Sequence, residues 1–390
     1  MESRTADQVV KRLLAHLEEG TTDYAPHIMR MDVSRYFDGG VAAAEREKVF
    51  TRFPLAAAHS SELPAPGDFV TKEYVGVPML IIRQDDGTVA AFTNVCRHRG
   101  ARLELEPSGS RKSFSCRYHR WCYARDGALR SLPFDEGFTE LDRAGSGLVV
   151  LPTDERHGMV WVCPSPGPAL SMGDYLGAEL DGEMAAGRLG EYFLYRERTF
   201  ELPMNWKFVM DGFLDTYHLQ FLHPRTVGPF FHTNVHTYDD FGRNSRLVVA
   251  RRTIDELRGP VDAAEPGGER NPHDYIITNY TLYPATVLAT EPDHVEAWTV
   301  LPHASDPGRC QVNLRFLVPK LPETDKQRRY RDRNWEILLS AVENEDWSVA
   351  QSINDTLPNG YVPETIYGRN EIAAQSYYRR MQEDLDDVRG

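Results

Sequence analysis

Two short stretches, Cys96-Arg97-His98 and Cys116-Arg117-Tyr118-His119, each set a thiol beside an imidazole. Thiolate sulfur and neutral imidazole nitrogen are both metal ligands. A gap of one residue in the first pair and two in the second suits tight loop tips that aim both side chains at one point. The stretch between them carries Ser108-Gly109-Ser110 as a turn signal and Phe114 before the second cysteine, a length and pattern fit for a hairpin joining the tips. A second constellation lies downstream, where Asp211, Asp215 and His218 fall at i, i+4 and i+7 beside an apolar stripe of Met210, Phe213, Leu214, Tyr217 and Phe221. On an unbroken helix His218 and His223 would diverge by about 140°. Pro224 disfavours the α conformation at His223, so the helix is expected to end there and let that side chain turn back.

The mirrored Cys/His order matters more than the count. Thiolates on one iron and imidazoles on the other define a Rieske [2Fe-2S] centre, whose potential lies above that of an all-cysteine cluster. Tetrahedral zinc accepts the same four ligands, although zinc sequences usually pair Cys with Cys and His with His. With Arg99-Gly100 after the first pair and Trp121 after the second, the region resembles the Rieske domains of non-haem iron oxygenases. It departs from them at Arg120, where the family usually has glycine, and at Cys122, read as a small buried filler. Arg120 is expected to disfavour protonation of the nearby imidazoles by like-charge repulsion.

Two histidines need a carboxylate to complete the facial triad of oxygen-activating Fe(II). On the predicted helix from Asn334 to Ile353, Asp346 falls inside the apolar stripe of Trp335, Leu338, Leu339, Val342, Val349 and Ile353. A carboxylate aimed into a core needs a cation, so Asp346 is the expected third ligand, with Glu343 as fallback and Glu345 at the edge of the face. A two-histidine element after Asn205-Trp206-Lys207, followed by an aspartate on a C-terminal helix, resembles the catalytic domain of the same oxygenases. The resemblance runs from about Phe50 to Leu385.

That resemblance implies a terminal oxygenase component. Its cluster takes electrons singly from a separate NAD(P)H-dependent reductase or ferredoxin, and its mononuclear Fe(II) activates O2 beside a small organic substrate. It also implies a ring of usually three chains, in which one subunit's cluster serves its neighbour's iron. Asp215, three residues before His218, is assigned to that junction, accepting a hydrogen bond from His218 while facing His119 of the partner subunit. The expected reaction is monooxygenation or demethylation of a small apolar or aromatic molecule, with cis-dihydroxylation of a ring as the alternative. Phe213, Leu214, Phe221, Phe230, Phe231, Tyr280 and Tyr283 are candidates for an apolar pocket and equally for core. Asp211 has a helix-structural or channel-lining role, Tyr217 reads as packing, and His232, His236 and His294 read as ordinary residues. Two readings of other classes stay open: a cluster-only electron-transfer protein and a zinc-stabilised binding module.

The elements that must position these residues follow from periodicity. Val10, Leu13, Leu14 and Leu17 predict an opening amphipathic helix over residues 6–19. Short β-rich runs at Phe69-Val70, Met79 to Ile82, Val89 to Phe92 and Met159 to Val162 are separated by turn signals such as Asp85-Asp86-Gly87, and a Pro/Gly/Ser linker follows at 164–168. Strand-like segments recur near Leu247, Ile276, Val295 and Val312 between helical patterns over 205–222, 325–356 and 370–386. The expected class is therefore α+β: an N-terminal helical segment (1–45) packing on the catalytic domain, a small all-β Rieske domain (46–163), and a helix-grip catalytic domain of antiparallel sheet and helices (164–390). With 390 residues and a net charge of −14, neither nucleic acid nor an anionic membrane is an expected partner. An odd five cysteines without scaffold spacing, no leader-like N-terminus and no long apolar run predict a cytoplasmic protein without disulfides. No phosphate-binding glycine loop is present, so the nicotinamide is expected on another protein.

Overall fold

The computed structural model describes residues 1–258 and 271–387. Alternating runs in the first part of the chain build three small antiparallel sheets. The largest has the spatial order Val150–Leu151, Val89–Thr93, Val77–Arg83, Asp68–Tyr74 and Ser108–Ser110. Thr153–Arg156, Met159–Val162 and Leu55–His59 form the second, and Phe114–Ser115, Cys122–Tyr123 and Leu129–Ser131 the third. Each predicted run here lies inside an observed strand. The period of two explains the packing: Leu80 and Ile82 face Phe92, Cys96, Cys116 and Trp121, whereas Met79 and Ile81 join the main core on the opposite face.

The larger part is a seven-stranded antiparallel sheet, ordered Phe193–Leu202, Cys310–Val318, Val295–Pro302, Thr286–Thr290, Ile276–Leu282, Asn244–Arg251 and Phe231–Phe241. Leu247, Val287, Trp298 and Leu314 on its inner face share one cluster with Trp206, Met210, Trp335 and Tyr377 from three helices. On the outer face, Ala6, Val9, Val10 and Leu13 of the helix Ser3–Glu19 pack against Val248, Ala250 and Ile276. This is the expected α+β arrangement of helices on an antiparallel sheet. Periodicity missed Phe193–Leu202 because it is an edge strand with the exposed charges Arg196, Glu197 and Arg198 spread over both its faces. It also missed the helix Met172–Ala186, interrupted at Gly177 with φ 74°.

One helical expectation needs correction, and another holds with a widened turn inside it. The segment 205–222 is not one helix: Trp206–Leu214 ends at Asp215, which is extended (φ −121°, ψ 137°), and a single turn resumes at Leu219–Leu222. Asp215 causes the break by accepting the Tyr217 amide through Oδ1 at 2.5 Å, a turn that competes with helix. Downstream, Asp325–Ala341 and Trp347–Thr356 are joined by a wide π turn at Val342–Asp346. Among the described residues all five cysteines are unpaired, and no helix is long and apolar enough to cross a membrane.

Candidate metal centres

The helix that delivers the histidines is fixed at its start. Asn205 Oδ1 caps it by accepting the Lys207 amide at 2.9 Å, and the Asn205 side-chain amide donates to the carbonyls of Tyr36 and Pro307. Lys207, fully buried, meets Glu45 at 2.7 Å, and Trp206 Nε1 donates to the same carboxylate at 3.1 Å. Removing one partner of such a pair strands the other charge, at about 3–5 kcal/mol. The Asn-Trp-Lys stretch is therefore an anchor for everything that follows it.

Beyond the break at Asp215, the two imidazoles come together with ring centroids 5.2 Å apart. Asp346 Oδ1 lies 3.0 Å from His223 Nε2 and 3.7 Å from His218 Nε2, and one ligand atom of each residue lies within 4.8 Å of the others. Both Nδ1 atoms are already engaged: His218 with Asp215 Oδ2 at 3.2 Å, His223 with Glu345 Oε2 at 2.7 Å. That leaves both Nε2 atoms for a shared ion, because a carboxylate on one ring nitrogen sets the tautomer that exposes the other's lone pair. Burial opposes protonation of His223, yet the Asp346 and Glu345 carboxylates outweigh it and hold its pKa above the ordinary value. The site thus favours positive charge. Two imidazoles and one carboxylate, with no further donor in the group among the described residues, match the donor set of oxygen-activating Fe(II).

The π turn resolves what helical spacing left ambiguous. It brings Asp346 to both Nε2 atoms and Glu345 to His223, where Thr226 also donates its hydroxyl to Glu345. Glu343, the fallback ligand, instead pairs with Arg198 at 2.8 Å on the surface and is displaced from that role. An ideal 100° step places Glu345 only at the edge of the face, which hides its contact with His223. Glu345→Ala is expected to weaken iron binding about 10–100-fold while leaving the cysteine/histidine loops untouched, as a chelator competition would measure.

Asp211 does not join the histidines: it accepts hydroxyls from Tyr378 at 2.7 Å and Tyr367 at 3.3 Å, and burial pushes its carboxyl up to about 7. It does border a cavity of about 250 Å³ that also touches Asp215, His218 and Asp346. His236, expected to be ordinary, is buried and bonded through Nδ1 to Thr216 at 2.8 Å, between Asp215 and Tyr217. Burial holds its pKa down at about 4. His232 and His294 pair with nearby carboxylates.

The upstream loops mirror each other. Cys96 N donates to Ala101 O and Gly100 N to Cys96 O, while Cys116 N donates to Trp121 O and Arg120 N to Cys116 O. Gly100 (φ 72°) and Arg120 (φ 60°) occupy the same left-handed position of the two turns. A glycine is the unstrained choice there, and Arg120 adopts it at a cost of about 1 kcal/mol. Its side chain is exposed, and the charges acting on His98 come, after desolvation, from His119 and Arg99, which together lower its pKa. The rings of His98 and His119 lie 4.7 Å apart, and Trp121 stacks on His98 at 4.9 Å. His119 Nδ1 is buried with no hydrogen-bond partner among the described residues, as suits an atom free to hold a metal. Tyr123, which the sequence did not single out, places its hydroxyl 3.4 Å from Cys96 Sγ and accepts the Arg97 amide at 3.0 Å. Cys122 is only half-buried, in a strand between Ser115 and Ser131.

Comparison with known proteins bears on both centres. Residues 53–152 match the Rieske [2Fe-2S] domain, and residues 189–387 match the ring hydroxylating alpha subunit catalytic domain. Similar sequences include biphenyl 2,3-dioxygenase subunit alpha from Rhodococcus jostii, 32% identical over 48% of this chain and 42% of that protein. Another is the carnitine monooxygenase oxygenase subunit of Acinetobacter baumannii, 31% identical over 48% of this chain and 51% of that one. The matched part spans about half the length of these curated relatives. In fold, a quaternary ammonium Rieske monooxygenase superposes with a TM-score of 0.78 at 21% identity, covering 93% of this chain and 96% of the other. Naphthalene 1,2-dioxygenase from Rhodococcus sp. gives 0.71 at 19% identity over 98% of each. The two matched domains carry a [2Fe-2S] cluster and a mononuclear iron respectively. The chain belongs to the ring-hydroxylating alpha-subunit family, with a Rieske [2Fe-2S] domain ahead of its catalytic domain.

Proposed function

We propose that this chain is the terminal oxygenase of a Rieske non-haem iron system, taking O2 and electrons from a separate NAD(P)H-dependent reductase or ferredoxin to monooxygenate or demethylate a small apolar or aromatic substrate. In this reading residues 46–163 hold the cluster through Cys96, His98, Cys116 and His119. Residues 164–390 hold Fe(II) through His218, His223 and Asp346, and residues 1–45 brace the catalytic sheet. The carrying observation is the convergence of those three donors with both Nδ1 atoms held by carboxylates. When bound, the irons supply one-electron storage and dioxygen activation. The chain's own work is to orient His218 through Asp215 and His223 through Glu345, and to keep both rings in the tautomer that ligates. Ring cis-dihydroxylation is the second reading, favoured by the similarity to a biphenyl dioxygenase.

The reading includes assembly as a homotrimer in the cytoplasm, with Asp215 bridging to His119 of the partner subunit. Exposed Val349, Ile353 and Ile366 rim the cavity beside Asp215, and exposed Tyr118 lies against His119 with ring centroids 3.8 Å apart. Apolar rims of this kind around two centres are suited to burial against each other. The experiment is an iron and acid-labile sulfide count with EPR of the reduced protein. A cluster plus one further iron per chain is expected. A cluster alone would indicate an electron-transfer protein, and zinc without cluster a binding module.

A further inference from the structure

The inner face of the seven-stranded sheet changes character along one strand. Leu247, Val249 and Arg251 alternate onto the same face. Leu247 joins the main core, whereas Val249 belongs to a small separate cluster with Ile277, Phe231, Leu219 and Val227. Leu219 adjoins His218, and Val227 lies one residue past Thr226, which holds Glu345. This cluster lies between the proposed iron ligands and the wall that carries Arg251, and its Phe231 and Val227 line both. There a cavity of about 360 Å³ opens, walled by Phe230, Phe231, Tyr330 and Leu338 together with Arg251 and Glu291.

Arg251 is the unsatisfied group of this wall. Among the described residues its Nε is buried without a hydrogen-bond partner, and the nearest carboxylate, Glu291, stands 3.8 Å from a terminal nitrogen. The other charges around the cavity are matched among themselves. His294 sits between Asp293 at 2.8 Å and Glu296 at 3.4 Å, Arg331 meets Asp293 at 2.5 Å, and Trp298 Nε1 donates to Glu296 at 3.0 Å. Burial, then the neighbouring Glu296, push the Glu291 carboxyl up to about 7 against the pull of His294 and Arg251, so it can keep its proton beside an incoming anion. The terminal nitrogens of Arg251 carry no hydrogen bond among the described residues, and a guanidinium presents them to two carboxylate oxygens as a fork.

We infer that the substrate carries a carboxylate bound by Arg251, its apolar body lying along Phe230, Phe231 and Leu338 toward the iron ligands. The inference rests on the oxygenase reading and narrows its substrate class. A cationic group would meet Arg251 head-on, while Asp293 and Glu296 are occupied by His294 and Arg331 and Glu291 faces Arg251 itself.

The test is calorimetric titration of the iron- and cluster-loaded protein with benzoate, phenylacetate and hexanoate, each against its methyl ester, and with benzylamine. At least one acid should bind about 30-fold more tightly than its ester, the worth of a charge-assisted hydrogen bond to a guanidinium. Arg251→Leu should abolish that preference, and Arg251→Lys should keep part of it, having charge without the fork. Circular dichroism and the cluster EPR signal report whether each variant is folded. The inference is overturned if no acid exceeds its ester in the wild-type protein, if the preference survives in Arg251→Leu, or if benzylamine binds more tightly than every acid. Failure of the oxygenase reading shows separately, as a missing iron or cluster in the same preparation, because binding is read without turnover.

Discussion

Asp346→Ala is expected to empty the mononuclear site while the [2Fe-2S] cluster remains, giving an unchanged EPR signal from the reduced protein, an iron count lower by one per chain and turnover reduced at least about 1,000-fold. The size follows from the geometry. Among the described residues Asp346 is the only carboxylate whose oxygen approaches both Nε2 atoms, at 3.0 and 3.7 Å. Without it, two imidazoles face each other with no anionic partner on the metal side. A metal contributing several kcal/mol to the transition state accounts for about three orders of magnitude when lost. Glu343→Ala is the matching control. Its carboxylate is spent on Arg198 at the surface, so iron content and rate should stay near wild type. A wild-type iron count in Asp346→Ala, or iron loss in Glu343→Ala, would reverse the assignment of the third ligand.

The reach of sequence reasoning divides along a physical line. Where the signal is local, it was legible: the Cys/His pairs, the strands of the small sheets and the α+β order are all set by neighbours within a few residues. The glycine position filled by Arg120 was visible as a departure, and its φ of 60° supplies the reason. Ambiguity began where a helix stopped being ideal. The stripe of Asp211, Asp215 and His218 presumed an unbroken helix, but the Asp215 side chain ends it, and Asp211 turns away to two tyrosines. Pro224 was read as the device that frees His223; the break at Asp215 comes first and moves His218 as well. Downstream, the π turn at Val342–Asp346 adds a residue to one turn and makes a helical-wheel angle unreliable, which is why spacing places Glu345 only at the edge of the face. Tyr123, Thr216 and His236 act across strands or loops far apart in the sequence, and no spacing rule points to them.

Asp215→Asn is expected to keep both metal centres and lose turnover by about 100-fold. The carboxylate does two things at once: Oδ1 accepts the Tyr217 amide and Oδ2 meets His218 Nδ1 at 3.2 Å. Asparagine has one acceptor oxygen. If it serves Tyr217 and preserves the turn, its amide nitrogen faces His218 Nδ1, and two donors cannot pair. The three proposed iron ligands remain in place, so iron content should hold, with affinity reduced by no more than about the 10–100-fold typical of a lost outer partner. In the proposed assembly turnover has the further requirement that Asp215 connect His218 to His119 of the partner subunit, and the substitution removes that connection. Two measurements separate these roles. After prereduction and exposure to O2 with substrate, absorbance of the reduced cluster should decay about 100-fold more slowly in iron-replete Asp215→Asn than in wild type. A role confined to holding His218 would instead appear as iron loss, with normal decay in whatever fraction retains iron. Normal rates in a metal-replete variant would refute the bridge and leave Asp215 with only the turn it builds.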